Sequence, residues 1–226
     1  MFHSSPVAYL FDVDNTLLDS DRVVDDLRRH LSLEFSADDQ QHYWKIFEER
    51  QDEHGYADYL GALQRFRCEK PSEQEFLKLS LYLLNYPFAD RLFPKALDVI
   101  AYPKQRGLVT IVSNGDVVFQ PRKIDASGLF EAVESRVLVY IHKEKDLHHV
   151  EHHFPAHHYV VIEDKPRVLA AAKKVWKDRA TTIFVRQGRY AHDPKNVKPF
   201  PDPDLTVERI GDLLNPDYSQ MFDRFV

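Results

Sequence analysis

The sequence predicts an α/β fold, a parallel-sheet core carrying an inserted helical block, on three observations. Short apolar runs alternate with helical stretches along most of the chain, the pattern that lays strands side by side through right-handed crossovers. Residues 20–88 interrupt that alternation with successive helical stretches and no convincing strand. The apolar runs also end in polar clusters, foremost Asp12-Val13-Asp14-Asn15-Thr16. In open α/β sheets, ligands bind at that edge.

Taken in order, Val7 to Phe11 reads as a buried strand. Ser20 can cap a helix to about Leu31, with Val23, Val24, Leu27 and Leu31 on one face. A second helix covers Ala37 to about Glu53, with Tyr43, Trp44, Ile46 and Phe47 as its apolar positions; Gly55 breaks it. Tyr56 to Arg67 makes a third. Ser72 with Glu75 forms a capping box for a fourth, which runs to about Tyr86 before Pro87. Pro94 then opens a helix that Gly107 closes. Leu108 to Val112 is a strand ending in Ser113-Asn114-Gly115-Asp116, followed by a helix that stops near Gly128. Val133 to Ile141 contains a strand followed by His142-Lys143-Glu144-Lys145-Asp146, and a helical segment from Asp146 stops at Phe154-Pro155. Tyr159 to Ile162 is a strand ending in Glu163-Asp164-Lys165-Pro166, with a helix from Pro166 to about Trp176. Thr181 to Val185 is the last clear strand. Asp193 to Pro203 holds four prolines and reads as a surface loop, and Thr206 to Leu214 as a closing amphipathic helix. No internal repeat is found.

Composition bounds the function. At 226 residues the chain can bury a full core, and 43% hydrophobic with 29% charged residues is ordinary for a soluble globular protein. The formal net charge of -6 argues against general nucleic-acid binding, which wants a basic face. A single cysteine, Cys68, excludes an intramolecular disulfide and a cysteine–zinc cluster and suits a reducing cytoplasm; its plainest role is a small apolar residue late in a helix. Met1-Phe2-His3-Ser4-Ser5-Pro6 lacks the charged and apolar regions of a signal peptide, and no apolar run approaches membrane-spanning length. The expectation is a cytoplasmic protein bound neither to nucleic acid nor to membrane, its oligomeric state left open.

Four consecutive strands end in residues suited to one reaction. Asp12 and Asp14, two apart at a strand end, can face one crevice, where one carboxylate attacks an electrophile while the other handles a proton. Both can help hold a hard cation. The Ser113 hydroxyl, with the Asn114 and Gly115 amides, can grip an anionic oxygen. Lys143 can offset charge on a nucleophile and a phosphoryl group; Lys145 competes for that role, and Lys143 is preferred for standing directly after the strand. Glu163 and Asp164 form a further acidic pair suited to a divalent ion. Each alone is explained as well by a turn, an exposed lysine or a helix cap; the order at strand ends is what joins them.

These motifs resemble those of the haloacid dehalogenase-like superfamily, chiefly phosphatases: Asp12-Val13-Asp14-Asn15-Thr16 as the first, Ser113 as the second, Lys143 as the third and Glu163-Asp164 as the fourth. The resemblance covers nearly the whole chain. It implies a Rossmann-like core over residues 1–19 and 89–226, with residues 20–88 as a C1-type helical cap. It further implies an aspartyl-phosphate mechanism acting on a small phosphorylated metabolite. Asp12 would attack phosphorus, Asp14 would protonate the leaving alcohol and then activate water, Thr16 and Ser113 would orient the phosphoryl group, and Lys143 would balance charge. Mg²⁺ would be held by Asp12, the Asp14 backbone carbonyl and Asp164, with Glu163 helping. Many relatives carry another aspartate four or five residues after the Asp164 equivalent, where this chain has Val168 and Leu169. The dehalogenase branch generally lacks an acid two residues after the nucleophile, so Asp14 favours a phosphatase over a carbon–halogen hydrolase. The same motifs leave room for a low-turnover regulatory or binding protein and for a phosphomutase.

The inserted helices would close over the cleft and choose the substrate. Arg22, Arg28, His54, Tyr56 and Tyr59 are polar candidates there, each explained as well by a solvated helix face or a core aromatic. Seven of the twelve histidines lie between His142 and His158, and His148, His149, His152 and His153 stand at helical spacings. A solvated helix face accounts for that run more simply than a metal site does.

Overall fold

The computed structural model describes residues 4–69 and 73–223. Ser72 of the expected capping box lies outside them, as do Met1, Phe2 and His3. Six strands form one sheet in the order β3-β2-β1-β4-β5-β6, every pair parallel: β1 (Ser5–Phe11), β2 (Leu108–Asn114), β3 (Val137–Tyr140), β4 (Ala156–Glu163), β5 (Ala180–Val185) and β6 (Leu205–Val207). β1 is central, with Tyr9 opposite Val109 on one side and Val160 on the other. Both faces of the sheet are covered, which is why β1 reads as an unbroken apolar run. Val7, Tyr9 and Phe11 enter one hydrophobic core and Ala8 and Leu10 the other.

Between β1 and β2 lie α1 (Ser20–Glu34), α2 (Ala37–His54), α3 (Tyr59–Glu69) and α4 (Glu73–Leu84). Cys68 stands late in α3, exposed. The cap of α1 is not Ser20. The Asp19 carboxylate accepts from the Arg22 amide at 2.9 Å, while Ser20, already helical, turns its hydroxyl to Asp14. Ser36 caps α2, and Gly55 ends it in the left-handed region at φ 73° that glycine adopts freely. α3 starts later than Tyr56, because Asp58 accepts from the Gly61 amide at 2.9 Å and fixes the helix entry there.

After the block come α5 (Ala96–Ala101), α6 (Phe119–Ala126), α7 (Leu129–Ala132), α8 (Leu147–His153), α9 (Pro166–Trp176), α10 (Arg189–His192), α11 (Pro194–Val197) and α12 (Pro216–Asp223). The helix expected from Pro94 to Gly107 is shorter: Lys95 takes a left-handed φ of 67°, and a 3₁₀ turn at Tyr102–Gln105 follows Ala101. The strand expected within Val133 to Ile141 is β3, which begins at Val137 after Glu134 and Ser135, at φ 53° and 63°, turn the chain. The largest departure is at the carboxyl-terminal side. Thr206–Leu214 is not a helix. Leu205–Val207 adds a sixth strand to β5, held by the Asp204 carboxylate accepting from the Thr182 amide and hydroxyl at 2.7 and 2.8 Å, and Ile210–Leu214 is a 3₁₀ turn. The loop before it contains α11, capped by Asp193. Among the described residues no helix is long and apolar enough to cross a membrane.

One buried polar knot ties α1 to the chain returning from the helical block. The Asp26 carboxylate accepts from the Tyr86 hydroxyl at 2.6 Å and from Arg91 Nε at 3.0 Å, with Arg29 Nη1 at 3.1 Å. Burial works to raise the Asp26 pKa, but the Tyr86 and Arg91 hydrogen bonds outweigh it and lower the value. Asp26→Asn is expected to cost about 2 kcal/mol in urea unfolding at neutral pH. A carboxyl with a depressed folded pKa contributes its stability above its ordinary value of 3.8 and loses it as the pH falls further. The deficit of the variant should therefore shrink in unfolding series run below that value.

Candidate active site

The turn after β1 is built by its own residues. Thr16, Leu17 and Leu18 amides all donate to the Val13 carbonyl, and Asn15 takes φ 57°, a left-handed value asparagine tolerates. The Asn15 side-chain carbonyl accepts from the Ser20 and Asp21 amides at 3.0 and 3.2 Å, seating the start of α1. Asp12 and Asp14 are thereby placed at the carboxyl end of the central strand. β2, β3 and β4 end around them.

Asp12 is 3% exposed, with one oxygen on the Lys143 ammonium and the other accepting from the Thr16 hydroxyl at 3.1 Å. Lys143 follows β3 and is 2% exposed; it also meets the Val112 carbonyl at 2.9 Å and the Glu163 carboxylate at 2.7 Å. Lys145, its competitor in sequence, is exposed. Burial and the Glu163 charge push the Asp12 pKa up to about 6 against the pull of Lys143. Burial also opposes ionisation of Glu163, but Lys143 and Lys165 prevail and lower its pKa.

Asp164 is different. It is 1% exposed and neither oxygen meets a hydrogen-bond donor. Burial, then the Glu163 and Asp12 charges, raise its pKa well above the ordinary carboxylate value despite Lys165. Asp12, Glu163 and Asp164 offer oxygens that all lie within 4.8 Å of one another, the one such group of three His, Cys, Asp or Glu residues among the described residues. Orphaned buried oxygens beside two further carboxylates fit a hard divalent cation. Counting charges makes the same point: four carboxylates, on Asp12, Asp14, Glu163 and Asp164, face three lysine ammonium groups, on Lys123, Lys143 and Lys165.

Ser113 and Asn114 end β2, both buried. The Ser113 oxygen accepts from Gln120 Nε2 at 2.8 Å, leaving its own proton to give. Asn114 Oδ1 accepts from the Lys143 amide at 2.9 Å, while its Nδ2 is buried without an acceptor. The Gly115 amide, expected to face an anion, instead donates to the Tyr140 carbonyl at 2.9 Å, because the β2–β3 ladder runs one residue past the strand. Gly115 serves packing: a Cβ there would come within 2.6 Å of the Gln120 side chain.

Gln120 and Lys123 on α6 are site residues that strand-end reasoning could not reach. Lys123 Nζ lies 2.5 Å from Asp14 Oδ1, and Gln120 Nε2 lies 2.8 Å from Asp14 Oδ2. Their only sequence signal is a glutamine and a lysine sharing a helix face with apolar Phe119 and Ile124. Burial raises the Asp14 pKa, but the Lys123 charge and hydrogen bond, with Ser20, bring it down to about 2. Lys165 enters the sequence reading only as part of the turn after Asp164. Burial lowers its pKa, but Asp164, Asp12 and Glu163 outweigh that and raise it.

Above this cluster a cleft of about 620 Å³ opens toward the helical block, lined by Asp14, Asn114, Asp164 and Lys165 below and by Phe47 and Tyr56 above. Tyr59 lines it too, buried against the Phe119 ring at 4.9 Å between centroids. Arg22 and Arg28 are exposed, Arg28 lying over the Trp44 ring. His54 stacks on Tyr56 with centroids 5.8 Å apart. His148, His149, His152 and His153 lie exposed on α8, and no group of three metal-ligating residues forms there among the described residues. Val168 and Leu169 are packed in the core.

Comparison with known proteins fits this arrangement. A family model for haloacid dehalogenase-like hydrolases matches residues 7–175. The chain is 52% identical to a protein of Burkholderia xenovorans LB400 assigned to the haloacid dehalogenase-like hydrolases, with a TM-score of 0.90 over 97% of this chain and 99% of that one. Two more distant structures share the fold. L-2-haloacid dehalogenase of Xanthobacter autotrophicus has 18% identity and a TM-score of 0.60, over 91% of this chain and 96% of that one. YfnB of Bacillus subtilis, solved with magnesium, has 19% identity and a TM-score of 0.59 over the same shares. No curated protein matches the sequence.

With divalent cations chelated, Asp164→Asn is expected to stabilise the protein at neutral pH by on the order of 1 kcal/mol in urea unfolding, because it removes an unpaired buried carboxylate. A carboxyl whose folded pKa is raised loses stability as pH rises above the ordinary 3.8. The gain should therefore fade toward that value.

Proposed function

The chain belongs to the haloacid dehalogenase-like hydrolase family, and from that membership we propose that it hydrolyses a small phosphate monoester through an aspartyl-phosphate on Asp12. The observation that carries the reading is the buried, donor-free Asp164 carboxylate set beside Asp12 and Glu163. Such a cluster carries one negative charge too many to receive an anionic phosphoryl group until a divalent cation joins it. Asp12, the Asp14 backbone carbonyl and Asp164 would hold Mg²⁺, which supplies charge neutralisation of the phosphoryl oxygens. Lys143 already bonds Glu163, which therefore supports the cation site from beside it.

The chain's own residues account for the rest. Thr16 and Lys143 orient the Asp12 carboxylate, which attacks phosphorus as the ester P–O bond breaks. Asp14 delivers a proton to the departing alkoxide. It then takes a proton from water, which attacks the phosphorus of the aspartyl-phosphate, releasing inorganic phosphate and restoring Asp12. Ser113 and Asn114 Nδ2 have donors to give to phosphoryl oxygens. Asp14 as it stands is ionised, ready as the base; it takes up a proton only by loosening its pair with Lys123. The helical block, as a cap, supplies the aromatic wall that meets the leaving group. A dehalogenase needs no proton donor at Asp14.

Phosphate release from a panel of monoesters, with halide release from 2-haloacids in parallel, tests the reading. Activity should require Mg²⁺ and fall at least about 10³-fold in Asp12→Asn. Halide release with no phosphate release would assign the chain to the other branch. Lys123→Met removes the main cause that depresses Asp14, so the limb of the pH–rate profile reporting Asp14 should move to higher pH.

A further inference from the structure

The stretch that leaves β5 meets the β1 turn at successive residues. The turn pairs most of its own backbone: the Thr16, Leu17 and Leu18 amides share the Val13 carbonyl, the Asn15 and Ser20 amides take the Leu18 carbonyl, and the Phe93 amide takes the Leu17 carbonyl. The Thr16 carbonyl is met from outside. Gln187, 7% exposed, donates to it through Nε2 at 2.7 Å and accepts from the Ile210 amide through Oε1 at 3.1 Å. The partners themselves fix which end of the side chain is which, because the Ile210 N–H needs an oxygen and the Thr16 carbonyl needs a donor. Gly188 then lies against Asn15, where a Cβ would come within 2.7 Å of the Asn15 side chain. The Arg189 amide follows, donating to Asp21 Oδ2 at 2.6 Å.

Gln187 therefore stands one residue from the group presumed to react. Thr16 is wholly buried, with its hydroxyl on Asp12 Oδ2 at 3.1 Å and its carbonyl on Gln187. Holding the carbonyl fixes the residue whose hydroxyl orients the carboxylate. The turn needs that support, because Asn15, just before Thr16, holds a left-handed φ of 57°. An apolar side chain of similar size would fill the space and leave both the Thr16 carbonyl and the Ile210 amide without their partner.

We infer that Gln187 is a positioning residue for Asp12, tying the nucleophile turn to the chain after β5 by way of the Thr16 carbonyl. The inference rests on the reading of Asp12 as the nucleophile and deepens it. Gln187 does not line the cleft above Asp14 and Asp164, and no proton or bond passes through it. Its effect is geometric: misplacing a reacting group by about 1 Å costs about 10²-fold in rate.

The test follows phosphate release from the best monoester, or halide release if wild type shows only that. Gln187→Met keeps the volume and removes the donor; it should lower kcat and kcat/KM together by about 10–10²-fold, with KM within about threefold of wild type. Asp204→Ala is the stability control. It breaks the Thr182 hydrogen bonds that attach β6, so it should lower the melting temperature and leave kcat at the wild-type value below melting. Gln187→Glu keeps the shape and the acceptor for Ile210. Its carboxyl can donate to Thr16 only when protonated, so its kcat relative to wild type should fall as the pH rises. The other titratable and charged groups lining the groove beside Gln187, Lys95, Arg186, His192, Glu208, Arg209 and Asp212, are common to both proteins. A Gln187→Met kcat within about threefold of wild type would overturn the inference, as would a loss no greater than that of Asp204→Ala at an equal fall in melting temperature. If Gln187→Met does not fold, a Gln187→Glu ratio that stays flat with pH overturns it instead. A wild-type protein that releases neither phosphate nor halide overturns the reading of Asp12 as nucleophile, and is seen before any variant is compared.

Discussion

The buried bridge from Lys143 to Asp12 and Glu163 is the interaction on which the site depends. It joins the carboxyl ends of β1 and β4 through a lysine supplied from beyond β3, so three strand ends meet at one ammonium. Desolvating three charged groups is expensive, and only their mutual pairing with the added Val112 carbonyl makes it tolerable. Once Lys143 is fixed in this way, Asp12 has one orientation and Asp164, next along the chain from Glu163, is left over. With Asp12 and Glu163, the leftover carboxylate makes a buried acidic group of the kind that could hold a metal ion.

The second coupling runs through α6. Gln120 reaches both Ser113 and Asp14, and Lys123 pairs with Asp14 from the same helix face. The two aspartates of the β1 turn therefore sit in separate electrostatic environments only two residues apart. Asp12 shares its lysine with Glu163 and is pushed up to about 6, whereas Asp14 has its own lysine and is brought down to about 2. Environments that drive paired carboxyl groups apart are how one site separates a nucleophile from a proton carrier.

Much of the fold is legible because a doubly covered parallel sheet leaves a strong signature: unbroken apolar runs, alternation with helices, and polar residues where runs stop. The helix from Pro166 to Trp176 is legible to the residue, since a proline at its start and a change of pattern at its end mark both limits. The stretch from Thr206 to Leu214 misleads because Leu205 and Val207 alternate over only three residues, too short for periodicity to separate an edge strand from a helix turn. Local polarity also hides competition. Ser20 looks like a cap, but Asp19 takes that role and frees the serine for Asp14. The site residues that strand ends reveal are those whose sequence neighbours announce a sheet edge. Gln120 and Lys123 reach Asp14 across the fold, through packing that no local pattern encodes.

The central place of β1 also governs how the chain must assemble. Its partners, β2 and β4, lie far along the sequence, with Tyr9 aligned to Val109 and Val160. During synthesis the run Val7–Phe11 therefore emerges ahead of both neighbours, β2 following only after about half of the 226 residues and β4 later still. Its closure carries a high contact order, and until then an apolar, β-prone segment is open to pairing with other chains. The strand that carries Asp12 is thus also the one most dependent on the chain's remaining unaggregated until late in folding.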